Sequence, residues 1–229
     1  MFTHASPEDD LSQGALSGEA PAAAGIRLCR AEREERVLLE RFIAERFADA
    51  HGAQLRRFMP RLFGTYDADG QLHAAFGMRS AAEERLFLEC YLDEPVEQMV
   101  SRQAGEPVLR QHIAEVGNLA GATPGALREL IPLLTRLLNR QSFHWVVFTG
   151  PARLCNGFSR LGLPLRVMAP APIERLPQAE RGHWGSYYRH SPSVMLGDVR
   201  KGWQHLEEMA SSPRALAAAL APVAKVGAP

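Results

Sequence analysis

The stretch HIAEVGNLAGATPGALRELIPLLTRLL, residues 112–138, decides the fold prediction, because a strand runs there through a small-residue loop into a long helix. The apolar pattern predicts a strand over residues 110–120 and a helix over residues 123–141. The question that this junction raises is which ligand, if any, it binds. The apolar stripe of the helix, at i, i+3, i+4, i+7 spacing, consists of Leu127, Leu130, Ile131, Leu134, Leu137 and Leu138.

The start and the middle of this helix carry distinct signals. Thr123 is a natural N-cap and Pro124 a natural first helical residue. Pro132 removes one backbone hydrogen bond from the helix interior, so we expect a kink there or a later helix start.

Outward from this junction the chain alternates strands and helices. This order predicts an α/β fold (an α+β mixed sheet) with helices on both faces. Beside the junction, strands are predicted at 25–31, 62–66, 72–78, 143–150 and 163–170, and helices at 32–51, from Pro95 onward and at 151–162.

Composition bounds the domain organisation. Residues 1–24 are rich in Ala, Gly, Ser, Pro and acids and predict a disordered tail. Residues 25–200 predict one domain, and residues 201–229 a C-terminal helical extension. Lys and Arg number 26 and Asp and Glu 26, so no basic field favours nucleic acid.

Location and metal binding also follow from composition. The cysteines are few, widely spaced and without a CxxC pair, which predicts free thiols and no zinc site. The N-terminal residues lack a signal-peptide pattern, and the longest apolar run is too short to span a bilayer. We therefore expect a cytoplasmic protein with no membrane span and no metal.

Three phrases of the sequence resemble one known protein family. LFLECYLD (86–93), EVGNLA (115–120) and WGSYY (184–188) resemble the bacterial thermostable hemolysin family, over roughly residues 25–200. That family is similar to the GNAT acyltransferase superfamily, and more closely to its acyl-homoserine-lactone synthase branch. The resemblance implies a GNAT-like acyl-CoA N-acyltransferase fold with a mixed sheet splayed at its central strands.

The implied fold places a V-shaped split between the strands at 111–119 and 143–149, with an acyl-pantetheine chain in the gap. The synthases similarly have an acidic and a polar residue before the main helix, here Glu115 and Asn118. They have a basic residue at the end of the preceding hairpin, here Arg79. The resemblance therefore implies a catalytic set of these three residues.

Glu115 has two interpretations. Partial burial would raise its pKa, so that it serves as a general base toward an amine or a water. Alternatively, its carboxylate pairs with Arg79 or Arg110. Under the first interpretation, backbone N–H groups from Asn118 to Ala120 would bind the thioester oxygen.

The loop before the helix is the predicted donor site. Small residues let a ligand approach the backbone, and a helix N-terminus with unpaired amides favours phosphate. The alternative is a tight strand–helix turn. The predicted donor-binding residues are Leu119, Ala120, Gly121, Ala122, Thr123, Gly125 and Asn156.

Two features depart from the GNAT pattern. The usual Q/R-x-x-G-x-G/A phrase is missing, as it is in the synthases, which often take acyl carrier protein. In CNGFSRLGLP (155–164), Phe158 stands where acetyltransferases often have a Tyr as general acid. A phenyl ring cannot donate a proton, and core packing is its simpler role.

Three further features of the sequence have more than one interpretation. Cys90 could be a nucleophile, but it lies in an apolar run typical of inert thiols. Glu89, Tyr91 and Asp93 could line an acceptor site or pair locally. The aromatic stretch 183–192 could shield an acyl chain, contact a partner or be an ordinary strand end.

The sequence thus favours an acyltransferase that passes an acyl group from acyl-CoA or acyl carrier protein to a small amine, with no tightly bound cofactor and a possible homodimer. Two alternatives stay open. One is a membrane-active hemolysin, and the other is a catalytically inactive GNAT-like binding module.

Overall fold

The computed structural model describes residues 26–123 and 125–211 as a seven-stranded mixed sheet with helices on both faces. The strands are β1 (Arg27–Arg30), β2 (Arg61–Tyr66), β3 (Leu72–Ser80), β4 (Ile113–Gly121), β5 (Trp145–Gly150), β6 (Leu165–Pro170) and β7 (Ser193–Asp198). The helices are α1 (Arg33–His51), α2 (Val96–Ala104), α3 (Ala126–Arg140), α4 (Ala152–Arg160), α5 (Gln178–Arg181) and α6 (Val199–Ala210), with a short 3-10 helix at Phe87–Tyr91.

The strand order is β1-β2-β3-β4-β5-β7-β6. Only β4 and β5 are parallel among these neighbours, and the other pairs are antiparallel. Strand β7 was not predicted, and it separates β5 from β6. Its four central residues are all buried, so it shows no alternation of apolar and polar residues that would have marked it as a strand.

Both faces of the sheet are covered, as predicted. On one face, α3 and α6 pack Leu130, Leu138 and Leu206 against the sheet. On the other, α1 contributes Leu39 and Ile43. Among the described residues, no helix is long and apolar enough to cross a membrane.

The main helix differs from its prediction at its start. Helix α3 begins at Ala126 with Gly125 as its N-cap residue, so Thr123 is not the cap. Pro124 lies outside the described residues. The helix continues through Pro132, so the expected later start is wrong. One turn beyond that proline, Thr135 Oγ1 donates to the Ile131 carbonyl at 2.9 Å.

The predicted domain limits fall partly outside the described residues. The tail predicted at 1–24 lies there, as does most of the extension predicted at 201–229. Helix α6 accounts for the described part of that extension and begins slightly earlier, with Asp198 accepting a hydrogen bond from the Lys201 N–H.

A bulge in β4 opens the middle of the sheet. In the β3–β4 ladder, Ala75 pairs with Ala120 and Gly77 with Gly117, so β4 contains one extra residue. Asn118 takes up the bend with a positive φ of 52°. Pairing of β4 with β5 ends at Val116 and Phe148, although β4 continues to Gly121. Because a bulge bends and twists its strand, the two strands part here, which confirms the predicted splay.

Met59 supports the bulge from one side. Its N–H donates to Asn118 Oδ1 at 2.8 Å. Its side chain lies over Gly77 and Gly117, where a Cβ on Gly117 would come within 2.6 Å of the methionine Cε. Two glycines on adjacent strands therefore make room for one methionine.

A buried ion pair organises the 3-10 helix. Glu89 is 5% exposed and receives two N–H···O bonds from Arg110, both at 3.0 Å. It also accepts the N–H groups of Leu86 at 2.7 Å and Val96 at 3.1 Å. Burial raises the pKa of Glu89, but Arg110 and these N–H groups lower it below its usual value. Of the two alternatives for Glu89, local pairing is the one observed.

A strap, residues 178–191, crosses from β6 toward the end of α1. Gln54 N–H donates to the His183 carbonyl at 2.7 Å, and Ser186 N–H donates to the His51 carbonyl at 2.8 Å. Gly185 has φ +50°, and a Cβ on it would overlap the same His51 carbonyl oxygen. The strap consists of helical turns, so the strand end considered for 183–192 is wrong.

Glu89→Gln should lower the free energy of unfolding by about 3 kcal/mol at neutral pH, because it leaves Arg110 without its buried counter-charge. Urea denaturation measures this change. The difference should shrink as the pH falls below the ordinary carboxyl pKa of 4.5, because the unfolded chain then binds a proton at Glu89 while the native carboxylate, whose pKa is lowered, is still ionised. Glu97→Gln is the matched control on the same arginine. Its side chain is 30% exposed, so a loss below about 1 kcal/mol is expected.

Gly185→Ala should destabilise the strap, because alanine is strained at this φ and its Cβ meets the His51 carbonyl. Hydrogen exchange of the Gln54 and Ser186 amides should accelerate. Gly182→Ala is the control, because a Cβ there has no heavy atom within 4 Å and φ is −65°. Equal exchange in both variants would show that Gly185 does not hold the strap.

Candidate active site

A cleft of about 1360 Å³ lies where β4 and β5 part. Its lining includes β4 from Glu115 to Gly121, one side of α4 and the aromatic residues of the strap. Pairing of the cleft-lining part of β4 with β5 stops at Val116. The strand edge beyond that point therefore faces the cleft.

Glu115 lies at the inner end of the cleft and is 3% exposed. Its Oε2 accepts the Phe87 N–H and its Oε1 the Leu88 N–H, each at 3.0 Å. Arg79 Nε lies 3.2 Å from Oε2. Burial raises the pKa of Glu115 to about 7, while Arg79 and the two N–H groups oppose that rise. The carboxyl group therefore changes charge near neutral pH, and it also anchors the start of the 3-10 helix.

Arg79 connects three elements. Besides Glu115, its Nε lies 3.2 Å from Met59 Sδ, and its Nη1 donates to Glu84 Oε1 at 3.0 Å. Of the two partners considered for Glu115, Arg79 is the one observed, because Arg110 binds Glu89 and Glu97 instead. The structure thus brings Arg79 and Glu115 into contact.

Asn118 lies in the same cleft, but its side-chain oxygen already accepts the Met59 N–H. The Asn118 backbone forms the bulge, and the bent main chain forms part of the cleft wall. Five residues of the predicted donor site follow it and line the cleft, namely Leu119, Ala120, Gly121, Ala122 and Thr123.

The first amides of α3 are largely engaged. Ala126 N–H donates to the Thr123 carbonyl at 3.1 Å, and Arg128 N–H to the Gly125 carbonyl at 3.0 Å. Gly125 does not line the cleft. The expectation of open amides at this terminus is therefore wrong for these two groups, because a tight turn satisfies them.

One side of α4 faces the cleft. Arg153, Asn156, Gly157 and Arg160 follow helical spacing and all line it, so the predicted Asn156 lies in the site. Phe158 lies on the other side, where it is 6% exposed and stacks on Phe148 with ring centroids 5.2 Å apart. Phe158 is thus a core residue.

The lining of the cleft is rich in arginine, which the balanced composition did not indicate. Four of its arginines have partners: Arg46 with Asp49, Arg57 with Glu180, Arg79 with Glu115 and Glu84, and Arg153 with His51. Within residues 26–123 and 125–211, no ion pair or hydrogen bond engages the guanidinium groups of the other three, Arg85, Arg128 and Arg160.

Tyrosines from two segments meet in the cleft. The hydroxyl of Tyr91 hydrogen-bonds that of Tyr188, and Tyr187 Oη donates to the Thr149 carbonyl at 3.1 Å. Burial raises the pKa of Tyr188 to about 12, so its hydroxyl is neutral at physiological pH. The sequence indicated that the aromatic stretch of the strap could shield an acyl chain and that Tyr91 could line an acceptor site, but not that the Tyr91 and Tyr188 hydroxyls meet.

His51 was also missed. It is 9% exposed, and its Nε2 accepts a hydrogen bond from Arg153 at 2.9 Å. Burial and the nearby Arg153 lower its pKa, so the ring is neutral. Burial raises the pKa of the Cys90 thiol, which makes it a poor nucleophile. Among the described residues, no cluster of three or more His, Cys, Asp or Glu could hold a metal ion.

The solved structures that are similar to this chain include TofI, FeeM and BjaI. TofI, in a ternary complex with an inhibitor and MTA, has a TM-score of 0.54 at 13% identity, covering 80% of this chain and 97% of its own. FeeM, an N-acyl amino acid synthase from uncultured soil microbes, has a TM-score of 0.54 at 15% identity, covering 80% and 98%. BjaI, a CoA-dependent acyl-homoserine lactone synthase with SAM and isopentyl-CoA, has a TM-score of 0.51 at 11% identity, covering 82% and 90%.

At these identities the likeness concerns the fold, and it confirms the predicted GNAT-like architecture. No curated protein matches the chain. A protein-family model described as thermostable hemolysin matches residues 29–203. Because that match spans most of the sequence, the chain belongs to the thermostable hemolysin family.

Proposed function

We propose that this protein transfers an acyl group from a coenzyme A or acyl carrier protein thioester to a small amine. The observation that carries the proposal is the open cleft at the β4–β5 fork, with a carboxyl group of pKa about 7 at its inner end. The fold shared with acyl-transferring synthases supports the same reaction class.

The donor would lie along the free edge of β4. A pantetheine arm has amide groups, and an unpaired strand edge offers N–H and C=O partners to such an extended chain. Its phosphate end would reach Arg128 and Arg160 on α3 and α4, since guanidinium groups bind phosphate in a bidentate manner. These two arginines replace the engaged amides of α3 as the expected anion site.

Glu115 would act as the base. A carboxylate offers about four lone-pair sites, and three donors already occupy part of that capacity, so one amine N–H can still be accepted. The amine attacks the thioester carbon, and its proton passes to Glu115. The carbon–sulfur bond then breaks with its electron pair on sulfur, and the thiolate finally takes up the proton from Glu115. The reaction therefore needs no further reactant.

Two neutral groups would assist the leaving thiolate and the developing oxyanion. Backbone N–H groups from Asn118 to Ala120, which line the cleft, would bind the oxyanion. The hydroxyl of Tyr188 can donate a hydrogen bond, because the pair it forms with Tyr91 needs only one of the two protons. Tyr188 of the strap would thus take over part of the general-acid role that Phe158 cannot perform.

The alternatives receive less support. An inactive module would be favoured by a cleft filled with side chains, whereas this cleft is open. No feature of the described residues favours direct membrane lysis. Dye-loaded liposomes incubated with pure protein test that alternative, and leakage without any acyl donor would favour it.

Octanoyl-CoA should raise the Tm of the purified protein, and incubation with a mixture of small amines should release free thiol. Arg128→Gln and Arg160→Gln should each weaken donor binding about tenfold, because each removes a charge-assisted contact. Isothermal titration with octanoyl-CoA measures this loss. Arg140→Gln, an exposed arginine at the far end of α3, is the control and should bind normally. If the protein binds neither octanoyl-CoA nor octanoyl carrier protein, the proposal is wrong.

Activity should rise with pH through about 7, because Glu115 must be ionised to accept the amine proton. Glu115→Gln should reduce kcat/KM by about a hundredfold or more and abolish this rise. The pH profile separates a catalytic role from the anchoring of Phe87 and Leu88, which would lower the Tm alone. Glu84→Gln, which alters the other carboxylate on Arg79, should keep the wild-type profile. An unchanged pH profile in Glu115→Gln would refute the assignment.

A further inference from the structure

A chain attached at the reaction centre could extend on either face of the sheet. On the face that α3 covers, Val116 and Leu119 line both the cleft and a void behind the fork. That void has a volume of about 30 Å³, which holds about one or two water molecules. Packed core residues line it, among them Leu134, Leu138, Phe148, Phe158 and Leu163. An aliphatic chain of several carbons therefore cannot enter there unless it displaces the core.

The opposite face of the sheet offers an open apolar surface instead. Four side chains that line the cleft there form what we call the aromatic row: Phe87, Trp184, Tyr187 and Phe47. Successive ring centroids lie 6.2, 5.4 and 6.3 Å apart, which is the spacing of paired aromatic rings.

The aromatic row lies away from α3 and is partly uncovered. Phe87 and Trp184 pack in the same cluster as Val147, whereas Phe148, the next residue of β5, packs with α3. Phe47 belongs to α1, which also covers the face opposite α3. Phe47, Phe87 and Trp184 are half-buried, so part of each ring stays open to the cleft. Apolar surface left open inside a cleft is typical of a ligand site.

One end of the aromatic row lies beside the proposed base. The Phe87 N–H donates to Glu115 Oε2 at 3.0 Å, so the first ring belongs to a residue that binds this carboxylate. From there the row leads through Trp184 and Tyr187 of the strap to Phe47, which lies one turn before the end of α1. The row therefore runs from the site of the proposed reaction toward the end of α1.

The direction of the donor along β4 decides which reactant reaches the aromatic row. The proposed donor has its phosphate end at Arg128, in the first turn of α3, and follows β4 from Gly121 back to Glu115. An acyl chain continues beyond the thioester in the same direction and so meets Phe87 first. A small amine reacts at Glu115 itself and does not extend to Phe47. The row thus continues the donor site.

We infer that the aromatic row binds the aliphatic chain of the donor, and that Phe47 at its far end determines which chain lengths bind best. This inference rests on the acyltransferase activity proposed above, and it places the chain on the strap side of the sheet rather than behind the fork. The chain takes no part in the bond changes, so its effect is on binding alone. Because each methylene that leaves water adds apolar burial, affinity should rise by up to about fourfold per carbon until the row is covered.

Isothermal titration with butyryl-, octanoyl- and dodecanoyl-CoA tests this site without requiring turnover. The wild type should bind the three donors with increasing affinity. Phe47→Ala should weaken the binding of dodecanoyl-CoA about tenfold and that of butyryl-CoA by less than about threefold, because only the longer chain reaches the end of the row. Phe42→Ala is the matched control, since Phe42 is half-buried in the same helix but does not line the cleft. It should keep the wild-type affinities.

Two further variants distinguish the aromatic row from the space behind the fork. Leu165 is half-buried and lines the void, so Leu165→Ala enlarges it. This variant should keep the wild-type order of affinities, and a stronger preference for dodecanoyl-CoA would place the chain behind the fork instead. Trp184→Phe retains a ring and should retain affinity, but it should remove most of the change in tryptophan fluorescence that dodecanoyl-CoA causes. A fluorescence change that persists in Trp184→Phe would contradict contact with the row.

The outcomes separate this inference from the proposed function. Equal affinity for all three donors, or an equal loss for all of them in Phe47→Ala, would overturn the acyl-chain site and leave the acyltransferase in place. In assays with butyryl-CoA, a loss in Phe47→Ala that grows from butylamine to octylamine would show that the row binds the acceptor, which also overturns the inference. If none of the donors binds, both the inference and the proposed function are wrong.

Discussion

The extra residue in β4 is the constraint on which the site depends. Without it, β4 and β5 would continue to pair past Val116 and Phe148, and their backbone groups would close the fork. A non-glycine residue with positive φ is costly, and here the cost is met by the hydrogen bond from the Met59 N–H to Asn118. Gly77 and Gly117 let that methionine lie close enough to form it. One hydrogen bond to Asn118 and two glycines that make room for Met59 thus keep β4 and β5 apart.

Charge is distributed unevenly in a chain whose total is balanced. The lining of the cleft contains seven arginines against three acidic residues, Asp49, Glu84 and Glu115, and one of those acids has its pKa raised toward neutrality. The arginines with partners hold the walls together, as Arg79 and Arg153 do. Arg85, Arg128 and Arg160, which have no such partner among the described residues, leave the lining with an excess of positive charge, which favours an anionic ligand.

The order of most elements, and the strand that carries Glu115, could be predicted from periodicity and turn residues, because those signals are local. The bulge could not, since Asn118 looks like any polar strand residue until its partner strand is known. Strand β7 was missed because burial on both faces removes the alternation that marks a strand. Tyr91 and Tyr188 meet although they are 97 positions apart, and the arginines of the lining come from separate segments of the chain, so neither grouping could be predicted from local signals. Most cleft residues named from the sequence lie in β4 and the following loop, where chain proximity and spatial proximity coincide, whereas Arg79 in β3 and Asn156 in α4 were named from the family resemblance.

The free edge of β4 bears on how the protein avoids self-association. An unpaired strand edge can form hydrogen bonds with another chain. Proteins usually prevent this with charged residues, with bends in the strand or with a loop or helix that covers the edge. Here the edge is recessed between α4 and the strap, and its bend at Asn118 spoils the register that a second copy would need. Because this edge lies inside the cleft, the edge of a second sheet is hindered from pairing with it.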